Sequence, residues 1–102
     1  MINFELLHPR ATQKSLGLIP FFFSEENPLS ASQQVDENYS YGGWNPVKGF
    51  KMHEGSALKF PGDPLMRPIA RAKFRDETIY IYQYAWVAIV QPDGQFEVSR
   101  ID

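Results

Sequence analysis

After Pro68 the residues alternate in polarity with period two, and this run decides what the chain can fold into. Ala70, Ala72 and Phe74 fall on one side, with Ile69, Arg71, Lys73 and Arg75 on the other. Alternation of this kind marks a half-buried strand, and Pro68 suits its start, where a missing N–H does no harm. Arg75-Asp76-Glu77 makes a polar break. Thr78 to Tyr84 predicts a second strand, with Ile79 and Ile81 on one face and Tyr80, Tyr82 and Tyr84 on the other. Ala85 to Gln91 predicts a third that is apolar on both faces, Val87 and Ile89 opposing Trp86, Ala88 and Val90, as fits a strand covered on both sides. Gln91-Pro92-Asp93-Gly94 is a turn signal, since Pro sets φ and Gly accepts a positive one. Gln95 to Ile101 alternates once more, with Phe96 and Val98 inward and Glu97 and Ser99 outward. The whole reads as an antiparallel meander of three or four strands. Gln83-Tyr84-Ala85 lacks Gly and Asn, which disfavours a tight primed turn, so one long strand bent by a bulge is the other reading there.

Upstream the pattern changes. Leu29 to Ser40 predicts a helix: Asn27 can cap, Pro28 is tolerated at the first position, Ala31, Val35 and Tyr39 recur at helical spacing, and Gly42-Gly43 ends it. A short helical turn is expected from Pro20 through Phe21, Phe22 and Phe23, and a strand over Ile2 to Leu7. Residues 42–68 form a long connection with extended pieces at Gly49–His53 and Ala57–Phe60, a length often found in ordered functional loops. The expected fold class is α+β: a twisted antiparallel sheet made of the meander plus an N-terminal strand, one main helix, and a long ordered loop. One domain, residues 1–102, accommodates all of it.

Composition removes several chemistries. The chain has no cysteine, so disulfides, thiolate nucleophiles and cysteine-based zinc sites are excluded. Ten basic and twelve acidic residues give a net charge of −2, which supplies no general field for nucleic acid. No stretch approaches the ~20 apolar residues of a membrane span, and the N-terminus lacks the pattern of a secretory signal. A cytoplasmic protein with no membrane partner is the expectation. Eight Phe, five Tyr and two Trp exceed what a core of this size needs, which points some of them toward a partner.

Four constellations could carry function. Tyr39-Ser40-Tyr41-Gly42-Gly43-Trp44 sets aromatics around a Gly pair, a favoured recognition composition, although the same residues would serve a Gly-capped helix end. Asp36 and Glu37 oppose the helix dipole and could pair with Lys48, Lys51 or a partner, or simply be solvated. Arg67, Arg71, Lys73 and Arg75 form a basic stripe, joined sideways by Arg100, that could hold a phosphate-bearing ligand or a nucleic-acid backbone, or be a solvated face paired across strands with acids such as Glu97 or Asp93. Tyr80, Tyr82 and Tyr84 beside Trp86 need cover, from the helix and the Phe21–Phe23 segment or from a second copy in a homodimer. His8 and His53 have no neighbours at metal-ligand spacing, so neither a metal nor a cofactor is expected.

Tyr41-Gly42-Gly43-Trp44, Phe60-Pro61-Gly62-Asp63-Pro64, Arg75-Asp76-Glu77-Thr78-Ile79 and the run from Ala85 to Val98 together resemble small uncharacterised proteins of bacterial genomes and prophages. The resemblance covers most of the chain after about residue 16 and rests on turn and core residues, so it implies a fold and no activity. The leading functional expectation is a non-enzymatic interaction protein, phage- or mobile-element-linked, that binds a protein partner or itself. Tyr39, Tyr41 and Trp44 with Arg67, Arg71 and Lys73 would be its contact surface. The rival is a pocket in which Gly42-Gly43 and Arg67 or Arg71 hold an anionic metabolite or nucleotide. A hydrolase-like enzyme using His53 with Asp36 or Glu54 ranks third.

Overall fold

A computed structural model describes residues 3–9, 11, 24, 26–38 and 57–100, with the side chains of 35–38 outside that description. Its elements are β1 (Glu5–Leu6), α1 (Ala31–Asn38), β2 (Leu58–Lys59), β3 (Leu65–Met66), β4 (Ala70–Phe74), β5 (Glu77–Ile81), β6 (Trp86–Val90) and β7 (Phe96–Arg100). Five strands form one antiparallel sheet in the order β1-β4-β5-β6-β7, and β2 pairs with β3 in a separate hairpin. This is the expected α+β arrangement, a C-terminal meander with an N-terminal strand added at its edge, although its helix is short.

Register follows from the alternation. Ala72 faces Ile79, Ile79 faces Ile89, and Ile81 faces Val87, so the small and branched side chains gather on one side. Ala31 from α1 and Ala11 pack onto that side. On the other side, Tyr80, Tyr82, Trp86, Ala88, Val90, Phe96 and Val98 form a second cluster with Leu58, Phe60 and Met66 from the β2–β3 hairpin. The sheet is thus covered from both sides at its centre, which is why β6 is buried at all five positions. The tyrosine and tryptophan face finds cover within its own chain. No second copy is needed for Tyr80, Tyr82 or Trp86, and the expected helical cover gives way to the 58–66 hairpin.

Three local details explain where elements begin and end. The helix starts two residues later than expected, because Ser30 caps it: Ser30 Oγ accepts the Gln33 N–H, and Gln33 Oε1 accepts the Ser30 N–H. That reciprocal pair is a capping box. Asn27 Oδ1 instead accepts the Leu29 N–H and shapes the approach. The strand expected through Tyr84 ends at Ile81, and Gln83-Tyr84-Ala85 closes a hairpin in which the Tyr82 N–H donates to Trp86 O. Tyr84 and Ala85 both hold positive φ, 60° and 65°, without the Gly or Asn such a loop favours. Burial of Tyr82 and Trp86 on one side of the loop, and of Ile81 and Val87 on the other, fixes the register and overrides the local preference. Tyr84 therefore leaves the tyrosine face and is exposed. At the β6–β7 turn the Pro-Asp-Gly signal works as read, with Gly94 at φ 89° and its N–H donating to Gln91 O.

Candidate functional site

The basic stripe does not persist as a row; the fold divides it. Arg75 sits in the β4–β5 turn at φ 59°, and its guanidinium donates to the carbonyls of Pro28 and Asn27, both at 2.8 Å. It straps the approach to α1 onto the sheet. Arg100 lies over the Trp86 ring at 5.7 Å, on β7, three strands away from β4. Arg67 follows β3 and lines a groove of about 540 Å³ with Leu7, His8, Leu65, Met66 and Gln83. Only Arg71 and Lys73 stay together.

These two project from β4 on the side away from α1. Arg71 is directly opposite Tyr80 on β5, and Lys73 is opposite Thr78. Opposed residues in an antiparallel pair have Cβ atoms about 4.5–5.5 Å apart, so two cations and two hydroxyl-bearing side chains make a compact patch of four. The patch lines a concavity of about 520 Å³, bounded by Glu5 on β1 and by Gln91 and the β6–β7 turn. Glu5 stands opposite Arg71 in the β1–β4 register and accepts from its Nε and Nη2 through a single oxygen, Oε2. Lys73 is exposed and has no hydrogen bond or ion pair among the described residues.

The remaining polar groups of the sheet are structural. Asp63, in the turn between β2 and β3, accepts the Trp86 indole N–H at 2.6 Å. Phe60 stacks on Trp86 with ring centroids 4.8 Å apart and meets Tyr82 edge-on at 4.9 Å. Burial, reinforced by the neighbouring Tyr80 phenol, pushes the Tyr82 hydroxyl well above the usual tyrosine range. Glu77, placed in a polar break by the sequence pattern, is buried. Its carboxylate accepts the Ala31 N–H at 2.6 Å, the Ser32 hydroxyl at 2.7 Å and the Gln91 side-chain amide at 2.6 Å. It fastens the start of α1 to the sheet, where the helix dipole favours a negative charge. The signal for this role was its phase: Glu77, Ile79 and Ile81 share one face.

Tyr39, Tyr41, Gly42, Gly43 and Trp44 lie outside the described residues, as do His53, Glu54, Lys48, Lys51, the Phe21–Phe23 segment and the extended piece at 49–53. The side chains of Asp36 and Glu37 do too. His8 is exposed at the rim of the Arg67 groove. Among the described residues no three His, Asp or Glu side chains gather to hold a metal ion, and no helix is long and apolar enough to cross a membrane. No family model matches the sequence, and neither a curated protein nor a solved structure matches it.

Proposed function

We propose that this chain is a non-enzymatic binding protein that docks an anionic group of a protein partner in the groove formed by Arg71 and Lys73. The observation that carries the reading is the pairing of Arg71 with Tyr80 and of Lys73 with Thr78 across β4 and β5, inside a concavity of about 520 Å³. Two cations with hydroxyl donors beside them recognise carboxylate or phosphate oxygens through charge-assisted hydrogen bonds. Three other charged groups are committed to the fold: Glu77 to α1, Arg75 to the 27–28 backbone, Asp63 to Trp86. Lys73 has no such commitment among the described residues. The aromatic residues 39, 41 and 44 are proposed as a second part of the contact surface. The resemblance to small bacterial and prophage proteins supplies only a mobile-element setting, with no activity attached.

A second reading places a small anionic metabolite or nucleotide in the same groove. The concavity favours it, since a flat surface would serve a protein partner equally well and a hollow suits a compact ligand. The two readings separate by experiment. The protein reading predicts that affinity capture from cell extract recovers a partner with wild-type protein and loses it with Lys73→Glu, while circular dichroism shows both folded. Equal recovery by Lys73→Glu overturns the groove as the contact surface. The small-ligand reading predicts a thermal shift with a phosphate- or carboxylate-bearing compound, because a ligand at about 100 times its Kd adds about 2.7 kcal/mol.

A further inference from the structure

We infer that the groove beside Arg67 is a second docking site, separate from the Arg71–Lys73 groove. Its occupant is a linear segment of a partner protein that carries one large apolar side chain with a carboxylate one or two residues away. The two grooves share no described lining residue, so either stands without the other.

The position of the site follows from topology. Leu6 pairs with Ala70, and Ala70 with Ile81, so the exit of β1, the entry to β4 and the loop after β5 meet at one end of the sheet. The stretch 64–67 of the β2–β3 hairpin reaches the same place, and the hollow so bounded measures about 540 Å³. That lies within the roughly 300–1,000 Å³ of ligand clefts. Its floor is fixed: Met66 and Ile69 are buried, one in each core cluster, and the Leu7 N–H donates to Ile69 O at 2.8 Å. Its walls are open. Leu7 is 38% exposed and Leu65 66%, two of the four large apolar side chains left exposed among the described residues. A third, Tyr84, follows the lining residue Gln83 in the chain and is held outward at φ 60°, where bulky residues rarely sit. Apolar surface gathered around a hollow marks a place of contact.

The polar groups of the groove select the occupant. Arg67 is exposed and has no hydrogen bond or ion pair among the described residues, and the half-buried Gln83 amide has no hydrogen bond there either. None of the described lining residues is acidic, in a chain of net charge −2. With an apolar anchor seated in the hollow, Arg67 stands at its flank, where a carboxylate forms charge-assisted bonds with the guanidinium fork. Gln83 offers both a donor and an acceptor, the complement of a peptide unit. Acyl chains of a bilayer would cover that amide and satisfy neither group, a costly burial. A two-fold contact with a second copy would bring the same hollow and the same cation from both sides. An apolar and acidic segment of another protein meets all three features together.

The test is selection of a random heptapeptide library, displayed on phage, against the full wild-type chain. The enriched peptides are then synthesised and titrated into wild type, Leu65→Ser, Arg67→Glu and Asp76→Asn. The expected consensus is one Leu, Ile, Met or aromatic residue with Asp or Glu within two positions of it. Leu65→Ser is expected to weaken these peptides about tenfold, while Asp76→Asn, in the β4–β5 turn at the other end of the sheet, leaves them unchanged. Arg67→Glu is expected to reverse the charge preference: acidic peptides weaken about tenfold, and versions with Lys in place of the acid regain most of the loss. A merely structural Arg67 would give no such reversal. Absence of enrichment, a consensus without an acid, wild-type binding by Leu65→Ser, or no reversal in Arg67→Glu each overturns the inference. Sedimentation of the chain alone, and with vesicles of phosphatidylcholine and phosphatidylglycerol, checks the other occupants. Self-association or vesicle binding that Leu65→Ser abolishes gives the groove to a second copy or to a bilayer, and overturns the peptide. Leu65 and Arg67 are both exposed, so both variants are expected to fold. If Leu65→Ser does not, the charge reversal in Arg67→Glu decides alone.

Discussion

On the side of the sheet that carries Ile79 and Ile89, the one carboxylate of β5, Glu77, is buried and takes three donors; on the opposite side, Lys73 of the paired strand is exposed and takes part in no described bond. The two residues sit four positions apart in one hairpin, Glu77 across from Phe74 and Lys73 across from Thr78. Alternation assigned them to opposite sides. What separates their fates is the layer above each: the N-terminus of α1 reaches over Glu77 and supplies it with donors, whereas among the described residues the β2–β3 hairpin, which clusters with the aromatic face, supplies Lys73 with no partner. A polar residue on a sheet is structural where a covering element supplies partners, and available for binding where none does.

Removing the carboxylate tests that difference most strongly. Glu77→Ala strands the buried Ala31 N–H and takes an acceptor from the half-buried Ser32 hydroxyl and Gln91 amide, at an expected cost of about 2–4 kcal/mol in urea unfolding. Glu77→Gln should cost less, because one amide oxygen can still accept. A loss below about 0.5 kcal/mol for the alanine variant would mean that these bonds do not hold α1 to the sheet, and the contrast between the sides would fall.

A second test reads the buried end of the aromatic side through pH. The Tyr82 phenol is held well above its ordinary value of 10.0 by burial. The folded chain therefore keeps this proton at a pH where the unfolded chain releases it. Its stabilising contribution is complete below about pH 10 and is lost as pH rises beyond that, by at most about 1.4 kcal/mol per pH unit. Chemical denaturation between pH 9 and 11 should show this decline in wild type and a shallower one in Tyr82→Phe. Parallel declines would show that the hydroxyl is not shut in beneath Phe60.

How far the sequence foretold these arrangements depends on the range of the forces involved. The alternation of Ala70, Ala72 and Phe74, and of Ile79 and Ile81, announced the strands, because period two follows directly from strand geometry. The Gly94 turn was legible for the same local reason. The tasks of Glu77 and Arg75 were not, since both depend on residues more than forty positions away, at 27–32. Nor was the hairpin at Tyr84 and Ala85, whose strain is imposed by packing on both sides of the sheet. Of the candidate site, the pairing of Arg71 with Lys73 could be read from spacing two. The departure of Arg67, Arg75 and Arg100 could not, because each leaves by a turn or across other strands.

That strained hairpin offers a smaller test of how firmly the two sides dictate the loop between them. Ala85→Gly removes the Cβ that opposes φ 65°, and is expected to stabilise the fold by about 1 kcal/mol, net of the added freedom of the unfolded chain. Measured by thermal unfolding, the variant should melt a few degrees higher with unchanged cooperativity. A lower melting temperature would indicate that Ala85 makes contacts that outweigh its strain.

The smallest expected effect on stability belongs to the residue with the largest proposed role. Lys73→Ala removes an exposed ammonium with no described partner, so its unfolding free energy should match wild type within about 0.5 kcal/mol. In binding, the same change takes away the one cation of the groove that Glu5 does not occupy, and capture of an anionic ligand should weaken several-fold and become less sensitive to salt. Glu77→Ala is expected to do the reverse, with stability falling and binding by the surviving folded fraction intact, because its carboxylate faces the other side. If Lys73→Ala lowers stability as much as it lowers binding, then Lys73 too is held by the fold, and the open side of the sheet is structural after all.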